Sequence, residues 1–217
     1  MVYLPEANVQ PDRELIHACI RDQPLGLLIT MGPDGLAANQ IPFILMVDDD
    51  GQERLIGHVA RNNDVWRDGF HHGESLVVFQ ANEAYVSPNW YPSKADTHRT
   101  VPTWNYVTVH AYGELVVHDD ERWIRGVVGR LTRKMESSQP VPWKMADAPA
   151  DFMETMLRNI VGIELPVSRM IGKWKLGQNR TVTDRLGVIA GLRGTGEPGS
   201  EAVADAMLEA IPVEDHP

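Results

Sequence analysis

Apolar and polar positions along the chain change period several times, and each change predicts an element. Between Pro11 and Pro24, Leu15 and Cys19, flanked by Ile16 and Ile20, form one apolar stripe, and Pro24 stops the segment, which predicts a short helix. Two apolar runs then flank Gly32-Pro33-Asp34-Gly35, the punctuation of a hairpin, and Pro42 marks the second run as an edge or a bulge. Asp48 to Gly51 makes the next turn, and Arg54 to Val59 returns as a strand. Asn62 or Asn63 stands where it can cap a helix running to about Gly69. "ESLVVFQA" and "AYVSP" read as two strands, followed by the long loop "PNWYPSKADTHRTVPTWN".

"YVTVHAYGELVVH" alternates, with Val107, Val109 and Ala111 on one face and Tyr106, Thr108, His110 and Tyr112 on the other. A helix opens at Asp119 or Asp120 with Trp123, Val127, Leu131 and Met135 four apart. Another, "DAPADFMETMLRNIV", aligns Phe152, Met156 and Ile160. "GIELPVSRMIGKWKL" reads as a final strand, "TDRLGVIAGL" as a helix and "EAVADAMLEAI" as a tail helix after "GTGEPGS". Antiparallel strands joined by turns, with helices between and after them, make an α+β protein with a barrel-like sheet.

Charge narrows the function classes. The net charge is −10, and residues 193–217 carry one basic and six acidic side chains, leaving −5 for the rest. Affinity for nucleic acid rests first on cations that neutralise phosphates, so direct DNA binding is disfavoured. No apolar run reaches the length of a membrane span, the N-terminus lacks a signal-peptide pattern, and cytoplasm is the expected location. The single cysteine, Cys19, excludes an internal disulfide and a cysteine-built metal site; it reads as a small buried side chain.

Three motifs carry candidate chemistry. In "GHVARNNDVWRD", Asn62, Asn63 and the N–H groups after them could cradle a phosphate while Arg61 pairs with it; equally, Asn caps a helix and Arg lies on its surface. In "YVSPNWYPSK" and "TVPTWNYVTVH", five aromatic side chains (Tyr85, Trp90, Tyr91, Trp104, Tyr106) sit beside Lys94 and Asn105, which suits the wall of a planar ligand or a subunit interface. "GKWKLGQNR" is the densest basic patch, fit for a phosphate or carboxylate or for a solvated strand end. Phosphate-binding glycine loops and H-E-x-x-H are absent, and the histidines are too scattered to nominate a metal site.

In order along the chain, "YLPE", "PLGLLIT…DGL…IPF", "GHVARNN", "AYVSPNWYPSK", "VPTWNYVTVHAYGEL", "VGIELPVSR" and "GKWKLGQNR" resemble the PaiB family of FMN-binding negative transcriptional regulators. The resemblance runs from Met1 to about Leu192 and leaves 193–217 as an acidic tail with a short helix, expected to pack on a dimer. It implies an antiparallel split β-barrel (the FMN-binding split barrel) with flanking helices, related to pyridoxamine phosphate oxidase, and a homodimer with flavin at the subunit interface. By the same resemblance His58, Val59, Ala60, Arg61 and Asn62 lie along the cofactor, with Trp66 beyond them and Arg61 on the phosphate. Thr30 lies in the other segment expected near the ring. Lys173, Trp174 and Gln178 close the site from the second subunit. Where relatives often carry His before "IPF", this chain has Gln40, which hydrogen-bonds but serves poorly as a base or metal ligand.

Three functions follow from the resemblance. The first is an FMN-binding transcriptional regulator that acts through a partner or a small-molecule ligand. The second is a flavin-dependent oxidoreductase, in which FMN carries the redox chemistry and no acid or base stands out in the sequence. The third is a haem enzyme related to piperazate synthases, with His58 or His110 as axial ligand.

Overall fold

The computed structural model describes residues 2–212. Ten strands fall into two sheets: β1 (Val9–Gln10), β10 (Arg169–Lys175), β7 (Thr103–Glu114), β6 (Glu74–Val86), β2 (Leu25–Gly32) and β3 (Gly35–Pro42) in that spatial order, and β4 (Ile44–Val47), β5 (Glu53–Ala60), β9 (Ile160–Pro166) and β8 (Val116–His118) in the other. The helices are α1 (Arg13–Asp22), α2 (Lys94–Thr97), α3 (Glu121–Glu136), α4 (Ala150–Arg158), α5 (Val182–Arg193) and α6 (Pro198–Glu209). The chain forms two compact units. The first takes the described parts of Met1–Ile16, Gln80–Val109 and Ile171–Pro217; the second is His17–Phe79 with His110–Met170.

In the second unit the hairpin is set by sequence: β2 pairs with β3 from Leu25↔Pro42 to Gly32↔Gly35, and Gly35 takes the positive φ of 105° that the turn requires. Pro42 ends β3, which lies at the sheet edge, where its missing N–H costs no ladder bond. Helix α3 starts at an Asp120 cap whose carboxylate accepts the Trp123 N–H at 2.8 Å, and it buries Ile124, Val127 and Leu131. Val127 and Leu131 pack on Ile56 of β5, and Trp123 covers Gly162 of β9, where any β-carbon would overlap the indole.

In the first unit α5 and α6 bury Val188, Leu192, Val203 and Met207. The tail helix therefore packs on α5 of its own chain, and residues 213–217 lie outside the described part. Gly187 and Gly191, one turn apart on α5, leave a groove filled by Trp90 and Pro92; a β-carbon at Gly191 would overlap the Trp90 ring. Buried Asp184 accepts bonds from the Ser93 N–H (3.0 Å) and hydroxyl (2.8 Å). This fixes the aromatic loop, with Tyr91 in it, on α5.

Several elements depart from the sequence expectation. The helix expected at 62–69 is a single 3₁₀ turn, Asp64–Trp66. "ESLVVFQA" and "AYVSP" are one continuous strand, β6, and "GIELPVSRMIGKWKL" is two, β9 and β10. Helix α4 buries Met153 and Leu157, while Phe152 and Met156 are exposed. Cys19 is half-buried, and burial with Asp22 nearby pushes its thiol up to about 11.

Candidate functional site

In the second unit, the segment after β5 spends its polar groups internally. Asn63 accepts the Val65 N–H at 3.0 Å and donates to Asn39 at 2.9 Å. Arg61 forks onto Asp119, at 2.9 and 2.5 Å, and also donates to the carbonyls of Arg158 (2.7 Å) and Ile160 (3.1 Å). The hydrogen bond to Asp119 holds the guanidinium above its ordinary range, and the reciprocal bond holds the Asp119 carboxyl below its own. Trp66 donates its indole N–H to the Arg61 carbonyl at 3.0 Å, with the Arg61 and Arg67 guanidinium groups each 5.7 Å from its ring. Arg67 pairs with Asp64 at 2.9 Å. Among the positions expected along the cofactor, Val59 is buried, while Ala60 and Asn62 are exposed.

Other polar atoms of this unit are buried without a protein partner. They include Thr30 Oγ1, Ser75 Oγ, His58 Nδ1 and His71 Nε2. β2 pairs with β6 through Ile29↔Leu76, so Thr30 and Ser75 occupy the next register position and share a sheet face. The His72 N–H bonds to the Met31 carbonyl at 3.0 Å, which brings the 71–72 segment to the same end of β2. His58 pairs across strands with Gly162, and burial lowers its pKa, which favours the neutral imidazole. Gly162 in turn pairs with His118, which stacks on Trp123 with ring centroids 4.0 Å apart and bonds Glu164 at 2.8 Å. His110, on β7, lies with its ring 6.4 Å from that of Tyr112. Among the described residues, no three His, Cys, Asp or Glu side chains form a metal cluster.

In the first unit, the aromatic and basic motifs meet around a cavity of about 450 Å³. Its wall comes from the N-terminal segment (Tyr3, Pro5, Ala7 and Asn8), from Tyr91 and the Val101–Tyr106 stretch without Trp104, and from Lys173, Lys175, Gly177, Asn179 and Arg180. Strand alternation puts Lys173 and Lys175 on one face of β10 and Trp174 on the other. Lys173 is 7% exposed; its ammonium donates to the Tyr3 carbonyl at 2.9 Å and lies 5.7 and 5.3 Å from the Tyr3 and Tyr106 rings. Lys175 donates to the Thr103 hydroxyl at 2.8 Å and to the Trp104 carbonyl, and lies 5.8 Å from the Tyr106 ring. Burial, and then Lys173, lowers its pKa. Arg180 covers Tyr91 at 5.1 Å. Among the described residues no carboxylate lines this cavity, and none of the three cations forms an ion pair.

Of the expected closing residues, Lys173 therefore faces the cavity, whereas Gln178 is spent on its own turn. Its side chain accepts the Leu176 N–H at 2.8 Å and donates to the Trp174 carbonyl at 2.6 Å. Sequence reasoning did not single out Tyr3, Asp119, Ser75 or His71 as site residues. A serine within the apolar run of β6 was the one available signal for Ser75.

Residues 2–169 match the family model described as "Putative FMN-binding domain". The chain is 28% identical over 211 residues to the protease synthase and sporulation protein PAI 2 of Bacillus subtilis, covering 97% of this chain and 98% of that one. An uncharacterized protein of Emericella nidulans is 28% identical over 243 residues, covering 96% and 97%. Among solved structures, the FAD and heme binding protein from Mycobacterium smegmatis matches with a TM-score of 0.58 at 16% identity, over 78% of this chain and 74% of that one. The flavocytochrome Anf3 from Azotobacter vinelandii matches with a TM-score of 0.57 at 12% identity, over 78% and 70%. These two share the fold. The chain belongs to the FMN-binding domain family, the PaiB family of the sequence resemblance, and has its α+β split-barrel architecture.

Proposed function

We propose that this protein works as an FMN-dependent homodimer whose flavin lies along Thr30 and the His58–Asn62 segment, with Lys173 closing the site from the second subunit. The observation that carries it is the pair of buried polar atoms without protein partners, Thr30 Oγ1 and His58 Nδ1, in the two segments that the resemblance assigns to the flavin. Buried polar groups are normally satisfied, and the polar edge of a flavin ring supplies the missing partners. These residues fit the ring better than the phosphate. The Arg61 side-chain donors and the Arg61 and Asn63 N–H groups are already engaged, so exposed Asn62 is the better phosphate donor. When bound, FMN supplies hydride or electron transfer; the chain supplies orientation and a dry environment. The regulator reading is supported by the name of the Bacillus relative, and with a net charge of −10 it works through a ligand or a protein partner rather than through direct DNA readout. That charge, and the absence of a membrane-spanning helix among the described residues, accord with a cytoplasmic location.

A haem reading is favoured by one observation: His58 has a buried ring nitrogen without a protein partner, and burial favours the neutral imidazole that an axial ligand needs. Two structural neighbours are named for haem or as a flavocytochrome. Absorption spectra of the purified protein, taken before and after adding FMN and then haemin, separate the readings. We expect a flavin band whose retention falls in Thr30→Val and His58→Ala. A Soret band lost in His58→Ala, with no flavin uptake, would overturn FMN in favour of haem.

A further inference from the structure

We infer that the cavity of the first unit binds a small planar ring bearing a carboxylate or phosphate, as substrate or effector. Three positive charges converge there, and among the described residues every partner each one has is neutral: carbonyls of Tyr3 and Trp104, the Thr103 hydroxyl, and the ring faces of Tyr3, Tyr91 and Tyr106. Partly buried charge is ordinarily matched by opposite charge, because desolvation is otherwise uncompensated. Here the mismatch is enforced. Lys173 is buried, Lys175 stands two residues along the same strand face, and the lining contains no Asp or Glu, in a chain where acids outnumber bases 30 to 20. A resident anion is the missing counter-charge.

The rest of the wall sets the ligand class. Tyr3, Tyr91 and Tyr106, with Val101 and Pro102, give flat apolar surface beside the cations, and Asn105 and Asn179 add amide groups. About 450 Å³ lies within the usual range of small-molecule sites. Polynucleotide is the wrong shape and size for a cavity with three cations, whereas a one- or two-ring acid matches both charge and surface.

This deepens the flavin reading by naming the substrate class, but the binding itself rests on the cavity alone. The test is calorimetric titration of the full-length protein with benzoate, phenyl phosphate, inorganic phosphate and neutral benzyl alcohol, with flavin content read separately by absorbance. The expected result is that benzoate and phenyl phosphate bind and benzyl alcohol does not. Lys175→Gln and Arg180→Gln each weaken them roughly 10-fold or more, as loss of a charged hydrogen bond does, with flavin content unchanged. The Arg180 guanidinium rests on the Tyr91 ring, and its backbone bond to the Gly177 carbonyl does not involve the side chain, so its variant remains informative if Lys175→Gln folds poorly. Anions binding no tighter than benzyl alcohol, or both variants keeping full affinity, would overturn the proposal. Inorganic phosphate binding as tightly as phenyl phosphate would overturn its ring component. A colourless protein that still binds benzoate supports this inference while defeating the flavin reading.

Discussion

Arg61 and Lys173 come from motifs that look alike on paper, each a cation close to Asn and Trp, yet the fold treats them oppositely. In the second unit Arg61 is matched by Asp119 and by two carbonyls, and its neighbours Asn63 and Trp66 bond within the segment. In the first unit Lys173, Lys175 and Arg180 have, among the described residues, only neutral partners. A basic residue marks an anion site only if its charge remains uncompensated after folding. The carboxylate that compensates Arg61 lies 58 positions away in sequence, which is why the segment read as a phosphate cradle.

The comparison breaks most visibly if Arg61 is removed. Arg61→Ala deletes the fork to Asp119 and both carbonyl bonds, so the loss of stability should be about 1–2 kcal/mol, discounted because both partners are more than a third exposed. Urea denaturation measures it. A loss below the measurement error would mean that the network is ornamental and Arg61 is free for a ligand after all.

Asp119→Asn is gentler, since it keeps the carbonyl bonds and removes only the charge. It should cost about 0.5–1 kcal/mol and free the guanidinium for an anion. Added sulfate should then raise the melting temperature of the variant more than that of wild type. Equal sulfate responses would show that Arg61 is held by its carbonyls and not by Asp119. The wild-type contribution has a defined pH window. Asp119 has a depressed folded pKa, so its stabilisation is present above the usual 3.8 and is lost as pH falls through the folded value.

How much of this could be read from sequence follows from where the determining contacts lie. The β2–β3 turn and the Asp120 cap were legible because turn chemistry and capping are local. The break between β9 and β10 was not. No turn glycine marks it; Val167 and Ser168 are pinned by long-range bonds to the carbonyls of Glu53 (2.8 Å) and Tyr112 (2.9 Å). Asn82 and Glu83 looked like a break in β6, but both are exposed and the strand runs through them. In α4, Phe152/Met156 and Met153/Leu157 are adjacent apolar stripes, and only packing decides which is buried. The candidate site was legible as residue types: Lys173, with Tyr91 and Tyr106 of the aromatic span, lines the cavity of the first unit. Its pairing state was not, because Asp119, Tyr3 and Ser75 reach their places only through the fold.

The subtlest test concerns Lys175, where the two regions should differ in the sign of their pH response. Burial and then Lys173 lower its pKa below the usual 10.5, so in the window between the folded and unfolded values the unfolded chain binds more protons. Stability from this group therefore rises with pH across that window, the reverse of what a paired lysine gives. Lys175→Met removes the titration. At neutral pH, losing its bonds to Thr103 and Trp104 and gaining apolar burial nearly offset, so the variant should lie within about 1 kcal/mol of wild type. The informative quantity is the difference in urea midpoint between wild type and variant, followed from pH 7 to just above 10. That difference should move in favour of wild type as pH rises. Saturating benzoate should shrink the movement, because a bound anion returns the ammonium toward its ordinary pKa. A pH-independent difference would show that Lys175 is already compensated in the free protein, and the cavity would then resemble Arg61 in kind.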